Sequence, residues 1–184
     1  AYLYGFLCHF ALDVTCHGFI GEQIEKTGIG HFEIEAEYDR ELLENDGYDA
    51  VSKCLTGHLH ATDQNAAVIS DFWNEVDKKQ TKKTLKRMIF FLNLLRAPSC
   101  AKRGILFGVM KLVGLYEPLH GLVINYMENP ACRESTDWLM EHFDEAVQLA
   151  VSLIAEYEKY LQNGGKLSDT FSFDFESVKR DNWQ

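Results

Sequence analysis

Residues 5–17 read GFLCHFALDVTCH, and residues 31–35 read HFEIE. In the first stretch His9, Asp13 and His17 follow one another at every fourth position. In the second, His31 and Glu35 are again four apart, and thirteen residues separate the two sets. A spacing of four puts side chains on one helical stripe, about 5–6 Å apart at Cβ. His9, Asp13 and His17 therefore line one face of one helix, and His31 and Glu35 line a face of the next. Two such helices side by side would bring all five residues around cations.

The residue types suit that reading. Imidazole nitrogen and carboxylate oxygen are donors that zinc accepts, and a catalytic zinc takes three protein ligands and keeps a fourth position for water. Ligands at helical spacing have their geometry fixed before a metal arrives. The plainer alternative is a solvated or core histidine, with an i,i+4 His/Asp pair forming only a charge-assisted hydrogen bond. Two such sets within 27 residues, holding three of the seven histidines, favour the metal.

The run YGFLCHFALDVTCHGFI followed by GHFEIEAEYDREL resembles the zinc-dependent phospholipase C family, all-helical trinuclear-zinc phosphodiesterases that also include single-strand nucleases. The resemblance covers about forty residues. It implies that His9 and Asp13 belong to a zinc pair with Asp13 bridging, and that His17, His31 and Glu35 hold the third zinc. In the secreted enzymes the gap between Asp and the second His is longer and includes a proline. Here only Val14, Thr15 and Cys16 intervene, which is closer to a cytosolic-looking branch. The family's other ligands, an N-terminal amine with an early His, a further His and the carboxylate that handles the attacking water, lie upstream of its H-x3-D. Nothing between Ala1 and His9 matches them. The expectation is that an N-terminal part is missing, with the catalytic base in it and this piece inactive.

Composition bounds the rest. A chain of 184 residues is long enough for one domain, expected to span 1–184, with a sizeable core. Hydrophobic residues make up 46% and charged residues 25%, as in soluble globular proteins. A formal net charge of −10 argues against a stable nucleic-acid complex, whose footprint is basic. It leaves room for a metal-dependent phosphodiesterase, because bound cations supply positive field locally. Five cysteines without a C-x-x-C pair suggest reduced thiols and a cytoplasmic setting, with no visible signal peptide. Cys8 and Cys16, with Leu12 between them, read as small core residues beside the ligand face.

Further along, residues 1–20 read as a buried helix ending near Gly18 and Gly21, and His31–Asn45 as a second, stopped by Asp46-Gly47. Its carboxylates Glu33, Glu37, Glu41 and Glu44 are expected on a solvated face, while Asp39 continues the stripe of His31 and Glu35. His58 and His60 sit in an irregular stretch as weak ligand candidates. A helix is expected from Thr62 or Asp63 to Lys78, an apolar one from Thr81 to Leu95, and another from Lys102 to about Leu115. The run from Met88 is too short to cross a bilayer, so no transmembrane segment is expected; a membrane-surface helix is the minor alternative to a core helix. Glu117-Pro-Leu-His120 is a single E-x-x-H, whereas di-iron bundles need two. Ser135 or Thr136 should cap a long helix to about Leu161, ended by Gly164-Gly165. Alternating Phe171, Phe173 and Phe175 suggest a tail, Lys166 to Gln184, packed in extended form.

The expected fold is an all-α bundle of six or seven helices of the zinc-dependent phospholipase C type. The expected activity is zinc-dependent hydrolysis of phosphoric diesters, on a small phosphodiester or a phospholipid. The alternative is a non-catalytic helical protein in which zinc staples two helices together. No His-Asp dipeptide and no G-x-S-x-G occur, which disfavours His-Asp phosphohydrolases and serine hydrolases.

Overall fold

The first helix, α1 (Tyr2–Thr27), passes straight through Gly18 and Gly21 and ends at Gly28. An interior glycine costs only about 1 kcal/mol relative to alanine, and Ile20 and Gln23, both buried, hold the extra turns. Gly28 supplies the true stop. Its φ of 72° is left-handed, and its N–H closes on the Ile24 carbonyl.

The computed structural model describes residues 1–180 and is all-α: among them are seven α-helices, short 3₁₀ turns and no strand beyond one isolated bridge, Phe173 to Lys179. After α1 come α2 (His31–Asn45), α3 (Asp63–Ser70), α4 (Lys78–Leu95), α5 (Cys100–Leu112), α6 (Tyr116–Leu119) and α7 (Arg133–Asn163). The chain divides into two compact units, Ala1–His31 with Ala131–Gln184, and Phe32–Pro130.

In the first unit α1 packs along α7. Their shared core is Phe10, Ala11, Ala150 and Leu153, closed over by Val14, Leu149, Phe171, Phe173 and Phe175. Burying a Leu or Phe side chain contributes about 2 kcal/mol each, so the tail phenylalanines are part of what holds the helix pair. The tail forms a 3₁₀ turn at Asp169–Ser172 and becomes extended at Phe173; the end of that expected segment, 181–184, lies outside the described residues. Phe19 stacks on Trp138 at 4.0 Å, and Lys26 reaches Glu134 at 2.6 Å. Ser135 and Thr136 do not cap α7, which starts at Arg133; both are buried in its first turn, and Ser135 Oγ donates to the Cys132 carbonyl.

The second unit contains the rest of α2 and α3 to α6. Its apolar centre is Ala97, Met110 and Val123, with Leu95, Leu106, Phe107, Tyr116 and Leu119 around it. The expected helix from Thr62 to Lys78 ends at Ser70. Thr62 caps α3, and Asp77 opens α4 in a reciprocal capping box with Gln80. Ser99 caps α5, which starts at Cys100, two residues earlier than expected. The acidic face of α2 also departs from expectation at Glu37, which is 2% exposed. It takes hydrogen bonds from Asn125 Nδ2 and the Asn129 N–H and lies 3.3 Å from Arg40 Nε.

By length and composition α1 is apolar enough to cross a membrane, although a core helix or a signal sequence passes the same test. Asp13 and Gln23 lie buried along it.

Candidate metal centre

On α1 the i,i+4 spacing has the expected result. His9 Nε2 lies 3.2 Å from Asp13 Oδ2, and His17 Nε2 lies 3.9 Å from Asp13 Oδ1. Asp13 is thus flanked by imidazoles one turn to either side, and its side chain is 12% exposed against 65% for His9. The loop after Gly28 returns the chain so that α2 starts with His31 beside His17; the two rings stand at 66° with centroids 5.1 Å apart. Glu35 follows His31 by one turn of the same helix. One donor atom each from His17, His31 and Glu35 lie within 4.8 Å of one another, and all three residues are half-buried. His9 and Asp13 are not part of that group.

The orientation of His17 has a second source. Its Nδ1 bonds the backbone carbonyl of Phe175. A carbonyl only accepts, so Nδ1 carries the proton, and in the neutral ring Nε2 keeps the lone pair that a metal needs. Binding one imidazole nitrogen to a backbone carbonyl while the other faces the ion is the usual outer support of a zinc histidine. Phe175 is held in turn by its ring, edge-on to Phe6 and Phe10 and 5.4 Å from His9. The sequence marked Phe175 only as a packing residue; nothing in it indicates that its carbonyl reaches His17.

The donor set fits zinc: two imidazoles and one carboxylate on helices are three of the four ligands that a tetrahedral zinc takes. Calcium and magnesium would require a shell of oxygens, which two imidazoles do not supply.

Glu35 also borders a cavity of about 190 Å³ in the second unit, shared with Asp39, Lys53, Asn93 and Arg96 and walled by apolar groups such as Leu92. That volume is below the roughly 300–1,000 Å³ of drug-sized sites and suits a small polar head. Arg96 donates to the Ser52 carbonyl at 2.9 Å, and Lys53 Nζ stands 3.2 Å over the Tyr48 ring. Crowding by its surroundings, and secondarily the charge of Glu35, push the Asp39 carboxyl up to about 6, although the side chain keeps an exposed surface. Asn93 ties the far wall together, its Nδ2 donating to Thr56 Oγ1 and to the Ile89 carbonyl.

The weaker candidates do not converge. His58 and His60 are exposed and belong to no ligand group among the described residues. His120 bonds the Tyr116 and Glu117 carbonyls through Nδ1 and sits 3.4 Å from Glu33 through Nε2, so the E-x-x-H pair serves local packing. Cys16 is buried as expected, and burial followed by the Asp13 charge pushes its thiol up to about 11. Cys8, expected in the core with it, is exposed, because a spacing of eight rotates it off the buried stripe.

Comparison of the chain with protein-family models, with curated proteins and with solved structures finds no match.

Proposed function

We propose that this chain is a zinc-dependent hydrolase of phosphoric diesters, or the zinc-carrying part of one, resembling phospholipase C. The observation that carries the reading is the convergence of His17, His31 and Glu35, three donors of the types a catalytic zinc uses, from two helices. Zinc held there would lower the pKa of a bound water towards about 7 and polarise a phosphoryl oxygen. The residues of the chain would do the rest. Phe175 would orient His17 through its carbonyl, and Glu35 would place a negative donor at the edge of the small cavity. The cations of Lys53 and Arg96 in the cavity lining suit a phosphate, while its apolar wall suits the ester's organic group. His9 and Asp13 would contribute to the zinc pair as the resemblance implies, and a small phosphodiester or a phospholipid is the proposed substrate class.

One observation favours the structural-zinc alternative. Asp13 Oδ1 lies 3.9 Å from His17 Nε2; Asp13 stands outside the donor group, so a shift of its side chain would be needed to close a shell as a fourth protein ligand. Four protein ligands would staple α1 to α2 without chemistry; three and a water would permit it.

The test is zinc content after exhaustive dialysis, followed by X-ray absorption at the zinc edge and turnover of bis(p-nitrophenyl) phosphate. One zinc per chain, lost in His31→Ala and Glu35→Ala, with a water in the shell, is the expected result, and turnover by these 184 residues alone is expected near background because the resemblance puts the catalytic base outside them. A chain that retains no zinc above background ends the metal reading. A shell of four protein ligands with no turnover replaces it with the staple.

A further inference from the structure

Helix α4 begins KKQTKKTLKR and has six basic residues and no acidic one among its eighteen, in a chain whose formal net charge is −10. Two of the six are engaged: Lys82 Nζ lies 2.7 Å and Lys78 Nζ 3.7 Å from the Asp63 carboxylate. Among the described residues, Lys79, Lys83, Lys86 and Arg87 meet no carboxylate at ion-pair distance. Among the described residues no carboxylate offsets their mutual repulsion, and an anion would.

The same face changes character downstream. Residues 79, 83, 86, 90 and 94 follow one another at three or four, so Lys79, Lys83 and Lys86 share one stripe with Phe90 and Leu94. Phe90 is 62% and Phe91 55% exposed, unusual for aromatic rings on a free surface. Helix α5, in the same unit, repeats the pattern with Ile105, Val109 and Leu112 at helical spacing, exposed by 70%, 53% and 87%. A helix that is cationic over its first half, then aromatic and aliphatic on the same outward stripe, with no acid to oppose a negative surface, is complementary to anionic headgroups above hydrocarbon. Lysine stems can lie along the apolar boundary while their ammonium groups stay at the phosphates.

We infer that the α4 surface docks on a lipid bilayer rich in anionic headgroups. Lys79, Lys83, Lys86 and Arg87 meet the headgroups, and Phe90 and Phe91 enter the acyl boundary. A nucleic acid would satisfy the cations but leave the aliphatic surface of α5 without a partner, and the remainder of the chain is acidic. The inference goes beyond the proposed hydrolase and does not rest on it, because binding is measured with EDTA present and without turnover.

The experiment is co-sedimentation of the whole chain with phosphatidylcholine vesicles, with and without about one-third phosphatidylserine. Binding to the anionic vesicles should exceed binding to the neutral ones by at least about tenfold and fall away as salt approaches about 0.5 M. The double variants Lys79→Glu/Lys83→Glu and Phe90→Ser/Phe91→Ser should each bind at least about tenfold more weakly with unchanged helical circular dichroism. Lys159→Glu, an exposed change on α7, should bind as the wild type does. Should a double variant fail to fold, Lys83→Gln/Lys86→Gln should still weaken binding. Equal binding to both vesicles, binding to neither, wild-type binding by the substituted chains, or tighter binding of a single-stranded oligonucleotide at the same salt would each overturn the inference.

Discussion

His17 Nδ1 donates to the backbone carbonyl of Phe175, 158 residues further along the chain, while the Phe175 ring packs edge-on against Phe6 and Phe10. One residue therefore connects the α1–α7 core to the tautomer of an imidazole proposed to hold zinc. Phe175→Ala should cost about 2–3 kcal/mol, less than a fully buried phenylalanine, and weaken zinc binding by about tenfold as the carbonyl loses its anchor. Phe173→Ala empties a neighbouring part of the same core. It should lose comparable stability with zinc affinity unchanged. Urea denaturation of the metal-free chains and competition against a chromophoric chelator separate the two effects; equal zinc affinities would remove the role of the carbonyl.

Three carboxylates on α2, two residues apart, should behave differently. Glu35→Ala should abolish zinc retention and leave the fold intact, because its side chain is half-buried beside His31 and His17. Glu37→Ala should remove the buried carboxylate beside Arg40 and leave it only the half-exposed Glu44 at 2.7 Å, a loss of up to about 3 kcal/mol seen in thermal unfolding. Glu33→Ala removes the carboxylate to which Asn129 Nδ2 donates at 2.6 Å and should cost about 1–2 kcal/mol. Equal zinc loss in all three variants would show that the region binds metal by charge alone.

The α2 boundaries were legible in the sequence because Gly30 and Asp46-Gly47 bracket it, and so was the joint stripe of His31, Glu35 and Asp39. The burial of Glu37 was not, because its partners Asn125 and Asn129 lie some ninety residues away and no periodicity reports them. The end of α1 was misplaced for a related reason: Gly18 and Gly21 are local stop signals, overridden by burial of Ile20 and Gln23. The start of α4 was readable, since Asp77 and Gln80 form a capping box, but the lysines after it are helix formers that carry no apolar period to mark a new helix. At the candidate site, donor identity and spacing were local and visible, whereas the Phe175 carbonyl and the cavity beside Glu35 arise from tertiary packing.

Thiol reactivity offers a check on the same packing. Cys8, Cys54 and Cys100 are exposed, and Cys16 and Cys132 buried. Ellman's reagent should therefore titrate three thiols rapidly in the native chain and five after denaturation. Cys54 should react first near neutral pH, because the Thr56 hydroxyl beside it holds its thiol below the usual cysteine range. Cys16, pushed up to about 11 by burial and the Asp13 charge, should remain unreacted until the chain unfolds. Mass mapping of alkylated peptides over time reads this order. Early labelling of Cys16 would mean that α1 is not packed as described.

Gly121 provides the most local test of how α2 is positioned. A Cβ placed there would lie 2.6 Å from the Glu33 backbone nitrogen and 3.0 Å from its Cα, closer than real Cβ atoms approach. The obstacle is main chain in the first turn of α2, so a side-chain rotation cannot relieve it. Gly121→Ala must push the 3₁₀ turn His120–Leu122 away from the helix, and overpacking of this kind costs about 1–3 kcal/mol. The same displacement acts on the turn that carries His31 and Glu35, so zinc affinity should fall together with stability. Gly57→Ala, in open space in the same unit, controls for the loss of a glycine and should change neither. If Gly121→Ala lowered the unfolding midpoint but left zinc binding untouched, the turn would support α2 without setting the geometry of its ligands. An unchanged midpoint would mean that the close approach of Gly121 to Glu33 does not hold in solution.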